Sequence, residues 1–184
     1  MESLATAIPL AGGSLGAFAD ADAPEDPEIA DWRWQVQALL AEHDLIVFQH
    51  PFYWYSCPAI MKEWMDLVLE YGYAYGPEAH TLAGKQWLSA ITTGGAPESY
   101  CSEGYNQRPL LDFLLPFQQT AQLCGMRWLP PFVLHSFHKL EDPEALRRCG
   151  QDYRQLLCAL RDEQLTPAQL AESPYLRDLL GVLP

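Results

Sequence analysis

Asp-Leu-Ile-Val-Phe-Gln-His-Pro-Phe-Tyr-Trp-Tyr-Ser-Cys-Pro-Ala-Ile-Met-Lys-Glu-Trp-Met-Asp-Leu-Val, residues 44–68, holds the plan of this chain. Leu45, Ile46, Val47 and Phe48 form an unbroken apolar run between Asp44 and Gln49. Such a run reads as a strand buried on both faces of a parallel sheet. Four aromatics follow at once, Phe52, Tyr53, Trp54 and Tyr55, caught between Pro51 and Pro58. Beyond Pro58 the apolar period turns helical: Ile60, Met61, Trp64, Met65, Val68 and Leu69 share one broad face. Pro58 suits a first helical position, with Ser56 or Cys57 as the cap. The order is strand, aromatic loop, helix. In an open α/β sheet such a loop lies at the carboxyl edge of the strands, where ligands bind.

The same alternation runs outward from this unit. Residues 87–92 predict a second buried strand, which ends in Thr92-Thr93-Gly94-Gly95. Paired glycines there let backbone amides come close to a ligand. Upstream, Ile29, Trp32, Val36, Leu39 and Leu40 stripe a helix that should end near Glu42 or His43. Before it, residues 19–28 are acidic with two prolines and read as a surface loop, and residues 14–18 as a weak strand. Downstream, residues 71–82 read as an ordered aromatic loop, and residues 110–124 are helical in pattern but interrupted by Pro116. That predicts a kink or two helices, ending at Gly125. Residues 132–134 form a short third strand. Asp142-Pro143 opens a helix lined by Leu146, Tyr153, Leu156, Leu157 and Leu160, and Thr166-Pro167 opens a last short one. The class is α/β with a parallel sheet in three layers.

A chain of 184 residues is read as a single domain, 1–184, and 49 % hydrophobic residues with six Trp argue for a packed core. A net charge of −13, with only eleven Lys and Arg, argues against a nucleic-acid partner. No stretch is apolar for long enough to span a bilayer, and Met-Glu-Ser-Leu lacks a basic signal region. Five scattered Cys, without a C-x-x-C pair, read as reduced thiols of a cytoplasmic protein. Cys57 stands at a helix start, where a thiol pKa can fall, but a buried inert thiol is the expectation. His50, His135 and His138 lack metal-ligand spacing, so no metal is expected and all three read as structural. No G-x-S-x-G elbow and no G-x-x-x-x-G-K-[ST] loop is present.

Several blocks together resemble the flavodoxin-like NAD(P)H:quinone oxidoreductase family, and within it the ancillary proteins of Kef-type glutathione-regulated potassium efflux systems. They are Ile46-Val47-Phe48-Gln49-His50-Pro51, Trp54-Tyr55-Ser56-Cys57-Pro58, Lys62-Glu63-Trp64-Met65-Asp66, Leu82-Ala83-Gly84-Lys85, Ile91-Thr92-Thr93-Gly94, Cys124-Gly125-Met126 and Trp128-Leu129-Pro130-Pro131. The resemblance implies a flavodoxin-like, doubly wound five-stranded parallel sheet, a homodimer, bound FMN (or FAD), and two-electron reduction of quinones by NAD(P)H. It also implies association with a potassium–proton antiporter at the inner face of the cell membrane. By position, Phe52, Tyr53, Trp54 and Tyr55 form the first flavin-facing loop and Thr92, Thr93, Gly94 and Gly95 the second. Tyr100 stands at the family's hydride-transfer tyrosine. Asn106 stands where the family has a histidine, and an amide cannot take up a proton at neutral pH.

The family's first strand and its phosphate-binding helix start have no counterpart before Asp44. Residues 1–8 resemble the tail of the first helix, and residues 14–22 the second strand. Either the true start lies upstream of Met1 or the sheet closes differently. If Met1 is the start, FMN binding should be weak or absent, because a helix amino terminus is what cradles the phosphate. Two readings result: a flavin-dependent quinone reductase, or an ancillary subunit that activates the antiporter with catalysis weak or lost.

Overall fold

The structure is a computed structural model and describes residues 27–140 and 142–183. Its helices are α1 (Pro27–Glu42), α2 (Ala59–Val68), α3 (Leu110–Leu123), α4 (Pro143–Arg161) and α5 (Pro167–Glu172). Its strands are β1 (Leu45–Pro51), β2 (Gln86–Thr92), β3 (Arg127–Trp128) and β4 (Phe132–Leu134). All pairings are parallel. β1 runs along β2 in register from Leu45↔Gln86 to Pro51↔Thr92. On the other side of β2, β3 pairs with its start and β4 with its end. β3 and β4 are thus one strand position, broken at Leu129-Pro130-Pro131, where proline has no N–H to give. Leu129 still donates to the Trp87 carbonyl at 2.9 Å, and the Pro131 carbonyl accepts from Leu176 at 3.0 Å.

Alternation along β2 feeds two cores. Trp87 and Ile91 face one side with Val36 and Leu40 of α1, Met61, Trp64, Met65 and Val68 of α2, and Leu114 and Phe117 of α3. Phe48 stacks on Trp87 at 4.0 Å and meets Trp64 edge-on at 5.3 Å. Leu88 and Ala90 face the other side with Leu156, Ala159 and Leu160 of α4 and with Leu176 and Leu179. Helices cover both faces of an open parallel sheet, the flavodoxin-like arrangement expected. Each core residue removed from water contributes about 1.5–3 kcal/mol.

Several local expectations need correction. β1 is not buried on both faces: Leu45, Ile46 and Phe48 are half-buried and Val47 is 36 % exposed. Among the described residues β1 has a neighbour on one side only. α2 starts at Ala59 with Pro58 as its N-cap, and no side chain of Ser56 or Cys57 caps it. α3 is one helix with Pro116 inside it, so of the two alternatives, a kink or two helices, the second is overturned. Pro116 costs one donor, while buried Leu110, Leu114, Phe117 and Ala121 hold both halves to the sheet. Of the expected α4 stripe, Leu156 and Leu160 are buried and Tyr153 and Leu157 pack against the same core, whereas Leu146 is exposed and Cys149 and Ala159 complete the buried face. Ile29 of α1 is exposed, and buried Gln37 takes an inner place by donating to the Val68 carbonyl at 3.0 Å. The strand expected at residues 14–18, most of the loop at 19–28, and the question of a first strand and phosphate loop lie outside the described residues.

Candidate functional site

Parallel strands deliver their following loops to one edge, and here two of those loops are stitched together. The Phe52 amide donates to the Thr92 carbonyl at 2.8 Å, so the aromatic loop after β1 lies against the exit of β2. From Phe52 a nest of rings spreads: Tyr55 at 6.2 Å, Tyr100 at 6.0 Å and Phe113 of α3 at 5.9 Å between centroids. Tyr55 also meets Phe113 at 5.2 Å. Its hydroxyl donates to Oδ1 of Asn106 at 3.3 Å, across the slot.

The tip of the first loop is a two-residue turn closed by the Ser56 amide on the Tyr53 carbonyl at 2.9 Å. Trp54 and Tyr55, its central residues, have φ of 50° and 61°. Turns of this hand ordinarily carry Asn or Gly, and a bulky residue there costs about 1–2 kcal/mol. Trp54 is 95 % exposed and recovers nothing by packing. Strain retained at a loop tip without a packing return is a mark of a functional surface.

The second loop is ordered from behind. Thr93 is 1 % exposed, its amide donates to the Leu134 carbonyl at 2.9 Å, and its hydroxyl donates to the Gly95 carbonyl at 2.8 Å. The two glycines make room for rings of the protein itself. A Cβ on Gly95 would sit 3.0 Å from the Tyr100 ring, and one on Gly94 would meet His138 at 3.4 Å. What the loops offer outward is backbone: the amides of Trp54, Tyr55, Gly94 and Gly95 make no hydrogen bond with any described residue.

All ten expected site residues are therefore placed around one edge of the sheet. Thr93 alone turns its side chain fully inward. Two neighbours went unnoticed in the sequence. Phe113 supplies a wall from α3. His135, expected to be merely structural, follows β4, and its Nδ1 lies 3.0 Å from the Thr93 hydroxyl with its ring 5.6 Å from that of Tyr100. Its position just past the carboxyl end of a parallel strand was the available signal. Burial pushes the His135 pKa down. The Gly95 carbonyl and Glu98 oppose that push, and Arg177 adds to it. Burial pushes the Cys57 thiol up, so the depressed thiol allowed by a helix start does not occur.

The slot is an open shelf. Two cavities lie beside it, one of about 490 Å³ between α3 and α5, and one of about 680 Å³ between the exit of β4 and α4. Among the described residues no three side chains are grouped to hold a metal, and no helix is long and apolar enough to cross a membrane.

A family profile described as flavodoxin-like fold matches residues 4–157. The glutathione-regulated potassium-efflux system ancillary protein KefG of Yersinia enterocolitica is 48 % identical over 121 residues, 66 % of this chain and 65 % of that protein. The chain thus spans just under two thirds of the length of that curated relative. The general stress protein 14 of Treponema denticola, solved in complex with FMN, aligns with a TM-score of 0.64 at 34 % identity, over 69 % of this chain and 72 % of that one. An NADPH-quinone reductase from P. pentosaceus aligns with a TM-score of 0.63 at 32 % identity, over 67 % and 72 %. The profile spans most of the described sheet and both stitched loops, and the chain belongs to the flavodoxin-like fold family.

Proposed function

We propose that this chain is a flavin-dependent NAD(P)H:quinone oxidoreductase that works as the ancillary subunit of a Kef-type potassium efflux antiporter. One observation carries the reading: an aromatic shelf and four unspent amides, those of Trp54, Tyr55, Gly94 and Gly95, lie on loops joined by the Phe52–Thr92 bond. A flat tricyclic ring with a polar rim asks for this combination, an apolar wall and backbone donors along an edge. Relatives named for a Kef system, for quinone reduction and for an FMN complex support it.

FMN (or FAD), when bound, supplies a two-electron carrier between nicotinamide and quinone. The residues of the chain do the rest. Phe52, Tyr53, Trp54 and Tyr55 form the apolar wall, and Gly94 and Gly95 offer amides to developing negative charge. The turn at Trp54–Tyr55 presents its two amides to the same rim. Tyr100, held between Phe52 and Gly95, has a hydroxyl able to give a proton beside the slot. Asn106, tied to Tyr55, orients that ring and does not relay protons. A homodimer, a cytoplasmic location and docking at the inner face of the cell membrane belong to the same proposal.

The test is reconstitution with FMN, followed by anaerobic addition of NADH or NADPH and then a benzoquinone. Loss of flavin absorbance and its return on quinone addition are expected. A chain that neither quenches flavin fluorescence nor bleaches fails the reading. Asn106 in the place of a proton-carrying histidine favours a second reading, an antiporter activator with little catalysis of its own. Stimulated potassium efflux from antiporter vesicles by protein lacking quinone reduction is the result that selects it.

A further inference from the structure

A quinone needs a proton as well as two electrons, and neither Phe52–Tyr55 nor Thr92–Gly95 includes a side chain that exchanges protons near neutral pH. Reduction to the hydroquinone adds one hydride and one proton, and Asn106 cannot pass the proton on. We infer that His135, reaching the slot from the far side of the Thr93–Gly95 loop, recharges Tyr100 with that proton. The inference rests on the quinone-reductase reading of the slot.

The hydrogen bonds at Thr93 assign the tautomer. A threonine hydroxyl has one proton, and that of Thr93 is committed to the Gly95 carbonyl at 2.8 Å. The 3.0 Å contact with His135 is then a bond in which Nδ1–H donates to Thr93 Oγ1. Nε2 is left as the basic nitrogen; the Gly95 carbonyl, which also takes the Thr93 hydroxyl, lies near enough to the ring to favour its protonated form. The ring stands beside Tyr100, with centroids 5.6 Å apart, and it also lines the 680 Å³ cavity. One imidazole thus touches both the tyrosine of the slot and a chamber large enough for several waters.

The charged and titratable groups around it come from several elements. Glu98 belongs to the Pro97–Ser99 turn; Arg148, Cys149 and Asp152 lie on α4; and Arg177 belongs to the carboxyl-terminal 3-10 segment, Leu176–Val182. Arg177 is held by Asp152 at 2.7 Å, which tempers its repulsion of a protonated ring. The neutral imidazole is the resting form, so the ring can take a proton and release it within a turnover.

The Tyr100 O–H bond breaks and an O–H bond forms on the quinone oxygen, while nicotinamide has supplied the two electrons and the hydrogen nucleus of the hydride. His135, protonated at Nε2 from cavity water, returns a proton to the tyrosine oxygen, and bulk water replaces it. His135 acts through Tyr100 and is a positioning and relay residue.

The experiment compares wild-type chain with His135→Asn, whose side-chain amide keeps a donor for Thr93 and removes Nε2. Nitrogen-15 spectra of histidine-labelled wild-type protein should show the Nδ1–H tautomer for His135. In flavin-reconstituted protein, stopped-flow separates reduction by nicotinamide from re-oxidation by a benzoquinone. We expect the ratio of re-oxidation to reduction rates to fall about 100-fold in the variant, the low end for a placed proton carrier. Its pH dependence should flatten, and added imidazole should restore part of the rate. An Nε2–H tautomer, an unchanged ratio, or an equal slowing of both halves without imidazole rescue overturns the relay. If wild-type protein binds flavin but neither nicotinamide bleaches it, the quinone-reductase reading falls first, and the relay with it.

Discussion

The Tyr55 hydroxyl donates to Oδ1 of Asn106 at 3.3 Å, although the two residues stand 51 positions apart. This bond ties the first loop to the segment that follows Tyr100. An amide here holds the tyrosine but carries no proton. Replacing Asn106 with His gives the position a titratable nitrogen, and benzoquinone reduction by the flavin-loaded chain should rise about tenfold near pH 7. Steady-state kcat with NADPH reads the outcome. An unchanged rate means that proton delivery at this position does not limit turnover.

Trp54 and Tyr55 occupy left-handed backbone at the tip of the first loop. Trp54→Asn removes a strained bulky residue, and because Trp54 is 95 % exposed it removes almost no packing. A gain of about 1 kcal/mol is expected, a rise in Tm of about 2–4 °C for a chain of this size. Calorimetry checks it. Flavin affinity in the same variant should drop, since the shelf loses its outermost ring.

Gly104 is the tightest glycine in the described chain. A Cβ there would lie 2.2 Å from the Glu98 carbonyl oxygen and 2.9 Å from Ser99 backbone atoms, neither of which can swing away as a side chain can. Gly104→Ala should cost about 1–3 kcal/mol, as overpacking does, and should displace Tyr100 and Asn106 together. Urea unfolding and quinone turnover should both suffer. In Gly95→Ala the 3.0 Å contact is with the Tyr100 ring, which can tilt, so stability should change less than in Gly104→Ala.

His50 is 7 % exposed, and its Nδ1 donates to the Pro51 carbonyl at 2.9 Å while Nε2 has no partner. Burial pushes its pKa below the ordinary 6.5, with the Pro51 bond opposing. The folded chain therefore binds fewer protons than the unfolded chain below that value. Stability sits on its plateau above pH 6.5 and falls as pH drops toward the depressed folded value. His50→Leu should flatten this slope, and at pH 7.5 it should match or exceed wild-type stability, because an orphaned acceptor is gone. Urea midpoints at pH 7.5 and 5.5 test both signs, with His135→Asn as the second contributor.

What could be read in advance was what depends on neighbours in sequence. Asp142 caps α4 by accepting from the Glu144 amide at 2.9 Å, and Thr166 and Gln169 close a capping box on α5. Both are short-range chemistry visible as Asp-Pro and Thr-Pro. β2 was readable because burial on both faces leaves a mostly apolar run, Trp87 to Ile91, broken only by the small Ser89. The same reasoning misled for β1, whose burial depends on a second neighbour that composition cannot supply. β3 escaped because Arg127 and Trp128, followed by Leu129 and a proline pair, make too short a run to register. The left-handed turn carried no Asn or Gly to announce it. His135 reaches Thr93 across 42 positions, and no local pattern encodes such a meeting.

The interruption between β3 and β4 governs how this protein can assemble. Pro130 and Pro131 present no hydrogen along that rim, and of the three carbonyls between the half-strands that of Pro131 is already taken by Leu176. A foreign chain meets a broken donor row there, so backbone-to-backbone extension of the sheet from that side is disfavoured. Any companion that approaches from this flank has to be recognised by side chains and helix surfaces, a route that selects partners far more sharply than a bare strand would.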